Sequence, residues 1–353
     1  MKHNIVTSIC VDKDSAASSV IYPMLGRQNA SRREIYWLCV YVFCWVSIRV
    51  NPNQPHLVYT NDNVPAVVDG VNIQVALEEL GVTLIDLPFT EFDPGARSSR
   101  FRNAFYKLDV VKALGALELP SILLDSDCLW HRPADGLAEI VCGGQQLLVQ
   151  DTYQRSDRPR LQDPHDLSMV DFGDTYRQID ADYACAQPVW YGGELVGGTP
   201  ALLRELSAVE KTIFDRVMAM DDPPAFHNGK SLFDNDEYIS TYAYNCGKFS
   251  LADAYGRFSR RIDTIAGGGR LSEAVVATQI WHLPAEKIRG FVFLFSAIAA
   301  RQLDNVPATH MTAVLGGYVG VPRRKIKAHL DWLARSKAML RRVAGLRFGG
   351  VQS

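Results

Sequence analysis

The sequence predicts an α/β protein built on a parallel sheet, and three observations carry that prediction. Short apolar, β-branched runs alternate with segments of helical period through the first 130 residues, the order that builds βαβ units with right-handed crossovers. The run at residues 121–124, Ser-Ile-Leu-Leu, is continuously apolar after its first residue, as a strand buried on both faces must be. The runs end in polar residues, Asp12, then Asn61 and Asp62, then Asp125 and Asp127, which such a sheet would gather on one edge.

Composition sets wide bounds. With 353 residues, 47% apolar and 22% charged, the chain has the make-up of a soluble globular protein with room for a large core. A net charge of −2 gives no ground for a nucleic-acid partner, and none is expected. Seven cysteines without regular spacing and without a Cys-x-x-Cys pair suit a reduced, cytoplasmic protein better than a disulfide scaffold or a structural zinc site. The start of the chain reads as a strand rather than a secretory signal. Residues 35–48, the most apolar stretch, are 14 in number, short of the roughly 20 that span a bilayer.

Taken in order, residues 4–11 form the first strand, and Asp12-Lys13-Asp14 the turn a nucleotide would approach. A buried helix follows over 31–50, with Ser31 and Glu34 at capping-box spacing. Residues 57–60 form a second strand, 73–80 a helix closed by Gly81, and 82–87 a third strand. Asn103 opens a helix to 119, with apolar positions at 105, 108, 111, 114 and 117. Arg97, Arg100, Arg102 and Lys107 make its start basic, either a solvated face or a phosphate contact. Residues 146–149 form a strand. The polar stretch 151–183 shows no period and reads as a substrate-facing region. In 188–198, two Gly-Gly pairs flank Glu194, as tight turns or as backbone close to something bulky. Thr199 and Pro200 then open a helix. Asp234, Asp236 and Glu237 lie at the start of a helix over 233–245, where acids complement the helix dipole. Residues 279–287 carry a strand, His282 and Lys287. Residues 323–347 hold nine Lys or Arg against one acid, Asp331, a basic amphipathic helix that packs on the domain or touches an anionic surface such as a membrane.

The stretch from 121 to 132 organises the rest. An apolar strand that stops at Asp125-Ser126-Asp127 sets two carboxylates at spacing two just past its carboxyl end, where open α/β sheets bind ligands. Paired carboxylates there suit a hard divalent cation, which in turn can hold phosphate oxygens.

This arrangement resembles the metal-dependent nucleotide-sugar glycosyltransferases of the GT-A fold over residues 4–290. ILLDSDCLW looks like their Asp-x-Asp strand end, preceded by a helix of the type FYKLDVVKAL. WYGGELVGGTPALLREL looks like the acceptor-side strand and helix. DNDEYIST is similar to the acidic segment of retaining galactosyltransferases, and 282–287 to the late His and Lys of glycogenin-like enzymes. The resemblance implies a Rossmann-like mixed, mainly parallel sheet, with a nucleotide-binding half at 1–130, an acceptor half at 131–290 and a helical basic extension at 291–353. It implies Mn²⁺ or Mg²⁺ on Asp125, Asp127 and His282. Asp12, Asp62, Lys107, Asp109, Asp125 and Lys287 would face a nucleotide-sugar donor, a UDP-sugar. Glu194 would meet acceptor or donor hydroxyls, and Asp236 or Glu237 the sugar near its anomeric carbon. The acceptor would be a hydroxyl of a glycan, a protein or a small molecule. Retention is favoured over inversion, and the oligomeric state is left open.

Two other readings stand beside it. Asp-Ser-Asp-Cys-Leu also resembles the nucleophile strand of haloacid-dehalogenase-like phosphohydrolases, although here it lies about 120 residues into the chain with Leu129 following. The other is a sugar-nucleotide-binding protein without turnover.

Overall fold

The computed structural model describes residues 1–11, 29–63, 66–98, 101–151, 167–259 and 277–320. The first unit runs β1 (Asn4–Ile9), α1 (Asn29–Val50), β2 (His56–Thr60), the hairpin β3 (Val67–Val68) and β4 (Val71–Asn72), α2 (Ile73–Glu79) and β5 (Thr83–Asp86). Then come α3 (Tyr106–Leu114), β6 (Ser121–Leu124), β7 (Cys128–Trp130), α4 (Asp135–Gly143) and β8 (Leu147–Asp151). The second part has α5 (Met169–Ile179), β9 (Tyr191–Gly198), α6 (Pro200–Met218), α7 (Asp236–Asn245), β10 (Leu251–Asp253), β11 (Phe258–Ser259) and β12 (Ile280–His282). Two helices follow, α8 (Gly290–Ala299) and α9 (Met311–Val319).

Seven strands form one mixed, mainly parallel sheet in the order β10-β8-β9-β6-β1-β2-β5. β9 is antiparallel to both its neighbours, β6 and β8, whereas β6, β1, β2 and β5 pair in parallel, as do β8 and β10. Side chains alternate across the sheet as the pleat requires. Ile5, Ile122, Leu124, Leu148 and Leu195 face one apolar layer with α1, α4, α8 and α9. Val6, Leu123, Leu147, Val149 and Val196 face another with α3, α5, α6 and α7. The result is a helix–sheet–helix sandwich.

Helix α1 is buried through its middle because Trp37 to Val46 offers no polar face, and it packs between the sheet, α2 and α8. α8 begins at Gly290. Phe291, Leu294 and Phe295 of that helix share the apolar layer of α1, with Tyr41 edge-on to Phe295 at 5.7 Å. Among the described residues, no helix is long and apolar enough to cross a membrane. None of the seven cysteines is paired in a disulfide.

Four local expectations need correcting. α1 starts at Asn29, so Ser31 lies inside it rather than at its cap. Asn103 caps nothing: a 3₁₀ turn, Arg102–Phe105, precedes α3, and the Asn103 amide donates instead to the Cys10 carbonyl. The 151–183 stretch contains α5, opened by a reciprocal Ser168–Asp171 capping box that its polar composition hid. The Gly-Gly pairs are not turns but lie within β9, where a Cβ on Gly197 would stand 2.9 Å from Val141 Cγ1 and 3.0 Å from the Ser121 carbonyl. The glycines at 267–269 and the basic segment 323–347 lie outside the described residues.

Candidate active site

Strand pairing assembles the site. β6 ends at Leu124, and a turn closed by Cys128 N–H to Asp125 O (3.0 Å) leads straight into β7. β12 lies antiparallel on β7 with His282 opposite Cys128, and Leu283 N–H donates to Asp127 O at 2.9 Å. That short ladder brings a histidine 155 positions away beside the second aspartate. On the other side, β9 pairs with β6 through Leu195 opposite Leu124, and Asp125 N–H donates to Glu194 O at 3.1 Å.

Two lysines close on these carboxylates. Lys107, from the first turn of α3, has its Nζ 2.7 Å from Asp125 Oδ1 and 3.8 Å from Asp236 Oδ2, and donates to Gly193 O. Lys287, just after the 3₁₀ turn Pro284–Glu286, stands 2.8 Å from Asp127 Oδ2 and 5.4 Å above the Tyr36 ring. Asn235 caps α7 by accepting from Glu237 N–H, which sets Asp236 and Glu237 in the positive first turn. Glu237 Oε1 accepts from Gly193 N–H at 2.9 Å. Gly193 has no room for a side chain without cost, since a Cβ there would lie 3.1 Å from Glu237 Cγ, 3.2 Å from Asp236 Oδ2 and 3.4 Å from Lys107 Nζ.

The electrostatics follow from this crowding. Asp125, Asp127, Glu194, Asp236 and Glu237 are gathered with two ammonium groups and one imidazole, and all but Asp125 are buried. Burial pushes the Asp236 carboxyl up to about 7, with Glu237 and Asp125 adding to the effect and Lys107 opposing it. Burial alone would also raise Asp127, but Lys287 and His282 outweigh it and hold that carboxyl well below its usual range. For His282 the burial penalty is likewise overcome, by Asp127 first and Glu194 next, so its imidazole sits above the ordinary value.

The set fits a divalent cation. Asp125, Asp127 and His282 each offer one ligand atom, all within 4.8 Å of one another, and ligands about 2.0–2.6 Å from one ion stand up to roughly 4–5 Å apart across it. The excess of carboxylate over cationic groups supplies the charge such an ion needs.

Not every expected residue comes to this cluster. Asp12 and Arg100 lie outside the described residues. Asp62 Oδ2 accepts from Arg33 Nε (2.6 Å) and Trp37 Nε1 (2.8 Å), which fixes the β2 end to α1. Asp109 accepts from the backbone N–H groups of Glu91 and Phe92 (3.0 and 3.3 Å), and burial raises its carboxyl to about 6. These bonds tie the 91–92 loop to α3. Arg97 binds the Val217 carbonyl in the last turn of α6 and the Met220 carbonyl just beyond it, and Arg102 forks onto Asp93, so neither serves as a free anion clamp. Tyr36, beside Lys287, was not expected. Its spacing to Arg33 and Trp37 puts all three on one face of α1, a sign masked by the continuous apolar run that begins at Ile35.

No protein-family model and no curated protein sequence matches the chain. Solved structures to which it is similar include the galactosyltransferase LgtC in complex with donor and acceptor sugar analogues, at 12% identity and TM-score 0.46, over 83% of this chain and 95% of that one. Others are the apo WbbM bifunctional glycosyltransferase (9%, TM-score 0.47, 79% and 45%) and apo mouse xyloside xylosyltransferase 1 (11%, TM-score 0.43, 80% and 97%).

Proposed function

We propose that the chain is a metal-assisted glycosyltransferase that moves a sugar from a nucleotide-sugar donor, a UDP-sugar, to a hydroxyl of a glycan, protein or small-molecule acceptor, with retention favoured. The observation that supports this reading is the convergence of the Asp125–Asp127 pair, Lys107, Lys287, His282 and the acidic first turn of α7 at the carboxyl edge of the sheet. Asp125, Asp127 and His282 would hold Mn²⁺ or Mg²⁺, which when bound supplies Lewis-acid neutralisation of the diphosphate.

The protein's own groups do the rest. Lys107 and Lys287 offset the charge that develops as the bond between the anomeric carbon and the diphosphate oxygen breaks. Their present partners, Asp125 and Asp127, keep both ammonium groups charged and aimed into the site until a phosphate competes for them. Asp236 and Glu237 lie on the far side of Lys107. A carboxylate there stabilises or attacks an oxocarbenium-like carbon in a retaining reaction, or takes the acceptor proton in an inverting one. Burial of four of the five carboxylates means that donor binding displaces little bulk water, so each charge acts at low dielectric. The phosphohydrolase alternative has no observation of its own here: its first aspartate, Asp125, is ion-paired with Lys107 at 2.7 Å.

Thermal unfolding tests the reading, with UDP, GDP or inorganic phosphate, each with Mn²⁺ or EDTA. A ligand at a hundredfold its Kd adds about 2.7 kcal/mol to stability. Stabilisation by UDP that requires Mn²⁺ and vanishes in Asp127→Ala is expected. A response to phosphate with no response to either nucleotide would overturn it.

A further inference from the structure

The Glu194 carboxylate has a task other than meeting a sugar hydroxyl. Its Oε1 stands 3.5 Å from His282 Nδ1, while His282 Nε2 stands 3.4 Å from Asp127 Oδ1. The imidazole is thus set between two carboxylates, with one ring nitrogen to each. Glu194 itself does not join the group of ligand atoms that Asp125, Asp127 and His282 bring together. It is buried, as is His282, and its backbone is fixed by the β6–β9 pairing that receives Asp125 N–H. The Phe258 ring lies near the imidazole, centroids 6.4 Å apart with 21° between planes.

From this geometry we infer that Glu194 is a positioning residue: its carboxylate accepts from Nδ1–H of His282, fixes that tautomer, and so directs the Nε2 lone pair at the cation shared with Asp125 and Asp127. The inference rests on the metal-assisted reading above. The physical reason is that a neutral imidazole has one donor and one acceptor nitrogen, and the partner of the donor decides which lone pair is left to bind metal. A carboxylate behind the ring also raises the basicity of the ligating nitrogen, and loss of such a partner weakens metal binding by about 10- to 100-fold. Glu194 therefore acts through His282, not on the substrate.

The test measures Mn²⁺ affinity of the full chain by electron paramagnetic resonance of the free ion, for wild type, Glu194→Gln and Glu194→Leu. The same variants are made in a His282→Ala background, and thermal unfolding in EDTA checks that each is folded. Glutamine keeps an acceptor oxygen behind Nδ1, so it should retain more affinity than leucine, which should lose 10- to 100-fold. In the His282→Ala background the Glu194 changes should have no further effect, because the route to the ion is gone. Should Glu194→Leu not fold, the isosteric Glu194→Gln and its double variant carry the comparison. Wild-type Mn²⁺ binding with unaltered affinity in both Glu194 variants overturns the inference and leaves the metal reading standing. Loss of affinity that persists undiminished without His282 also overturns it, showing Glu194 to act as a ligand or a bare charge. Absence of Mn²⁺ binding by the wild type overturns both.

Discussion

Replacing Glu210 by Gln should stabilise the protein, and by an amount that grows with pH. Glu210 lies in α6, 1% exposed, and its Oε1 accepts from Ser240 Oγ at 2.8 Å while Oε2 has no hydrogen-bond partner. Burial pushes its carboxyl from 4.5 up to about 8, opposed by the Ser240 bond and reinforced by Asp236. Between those two values the folded chain holds a proton that the unfolded chain has released. Stability therefore falls as pH rises, by about 1.4 kcal/mol per pH unit for this one group. From 4.5 to 7 the loss amounts to about 3 kcal/mol, and it levels off above pH 8. Glutamine keeps the carbonyl that accepts from Ser240 and has no proton to take up. Glu210→Gln and wild type should then match within about 1 kcal/mol at pH 5 and differ by about 3 kcal/mol at pH 7. Urea unfolding at half-unit steps of pH reads the gap directly. A gap that stays constant with pH, or one that favours wild type at pH 7, would refute the reasoning. The site has a stake in this contact, because Ser240 lies one turn after Asp236 on α7 and ties that helix to α6.

Lys287→Met should lower stability in EDTA by about 3 kcal/mol, since it leaves the buried Asp127 carboxylate with only His282 as cationic partner; thermal unfolding without metal measures it. Turnover of donor should fall with it, through the lost charge at the leaving group. The two glycines of β9 should separate fold from chemistry. Gly197→Ala drives a Cβ against the Ser121 carbonyl and Val141, so it should cost roughly 1–3 kcal/mol while activity per folded molecule is kept. Gly193→Ala sets a Cβ 3.1 Å from Glu237 Cγ, 3.2 Å from Asp236 Oδ2 and 3.4 Å from Lys107 Nζ, all side-chain atoms that can give by a few tenths of an ångström. It should leave stability within about 1 kcal/mol and reduce turnover by about tenfold or more.

Part of this arrangement is legible in the sequence. The abrupt end of the 121–124 run at Asp125 announces the central strand and its carboxylates, because a buried strand cannot carry them further. The α7 start is readable only in part: the acids at 234, 236 and 237 mark a first turn expected in a helix over 233–245, whereas Asn235 caps a helix that begins at Asp236. Asp62 and Asp109 show the limit. A carboxylate after a strand, or on a helix, looks the same in sequence whether it faces a ligand or is consumed by an indole and a guanidinium 25 and 29 positions earlier, as Asp62 is. His282 met the cluster only through a resemblance. The ladder that delivers it, β7 on β12, has three residues a side, too few to leave a periodic trace.

The deepest gap concerns direction. In a wholly parallel sheet only the carboxyl ends of strands reach the binding edge, and residues early in a strand are carried to the opposite side. β9 is reversed, so its first half, not its last, arrives beside Asp125; Asp151 pairs with Tyr191 and Leu124 with Leu195. Reversal is what puts the Gly193 backbone between Lys107 and Glu237, and Glu194 behind His282. A strand buried on both faces reads the same in either direction, since neither its apolar run nor its period changes on reversal. The glycines at 192, 193, 197 and 198 carry the one available hint, and it concerns close approach rather than direction: Gly197 makes room for α4 and β6, Gly193 for the lysine and carboxylates. The functional edge is thus completed by the one strand whose orientation the sequence does not encode locally. Its orientation is set by pairing with β6 on one side and β8 on the other, and so by the fold as a whole.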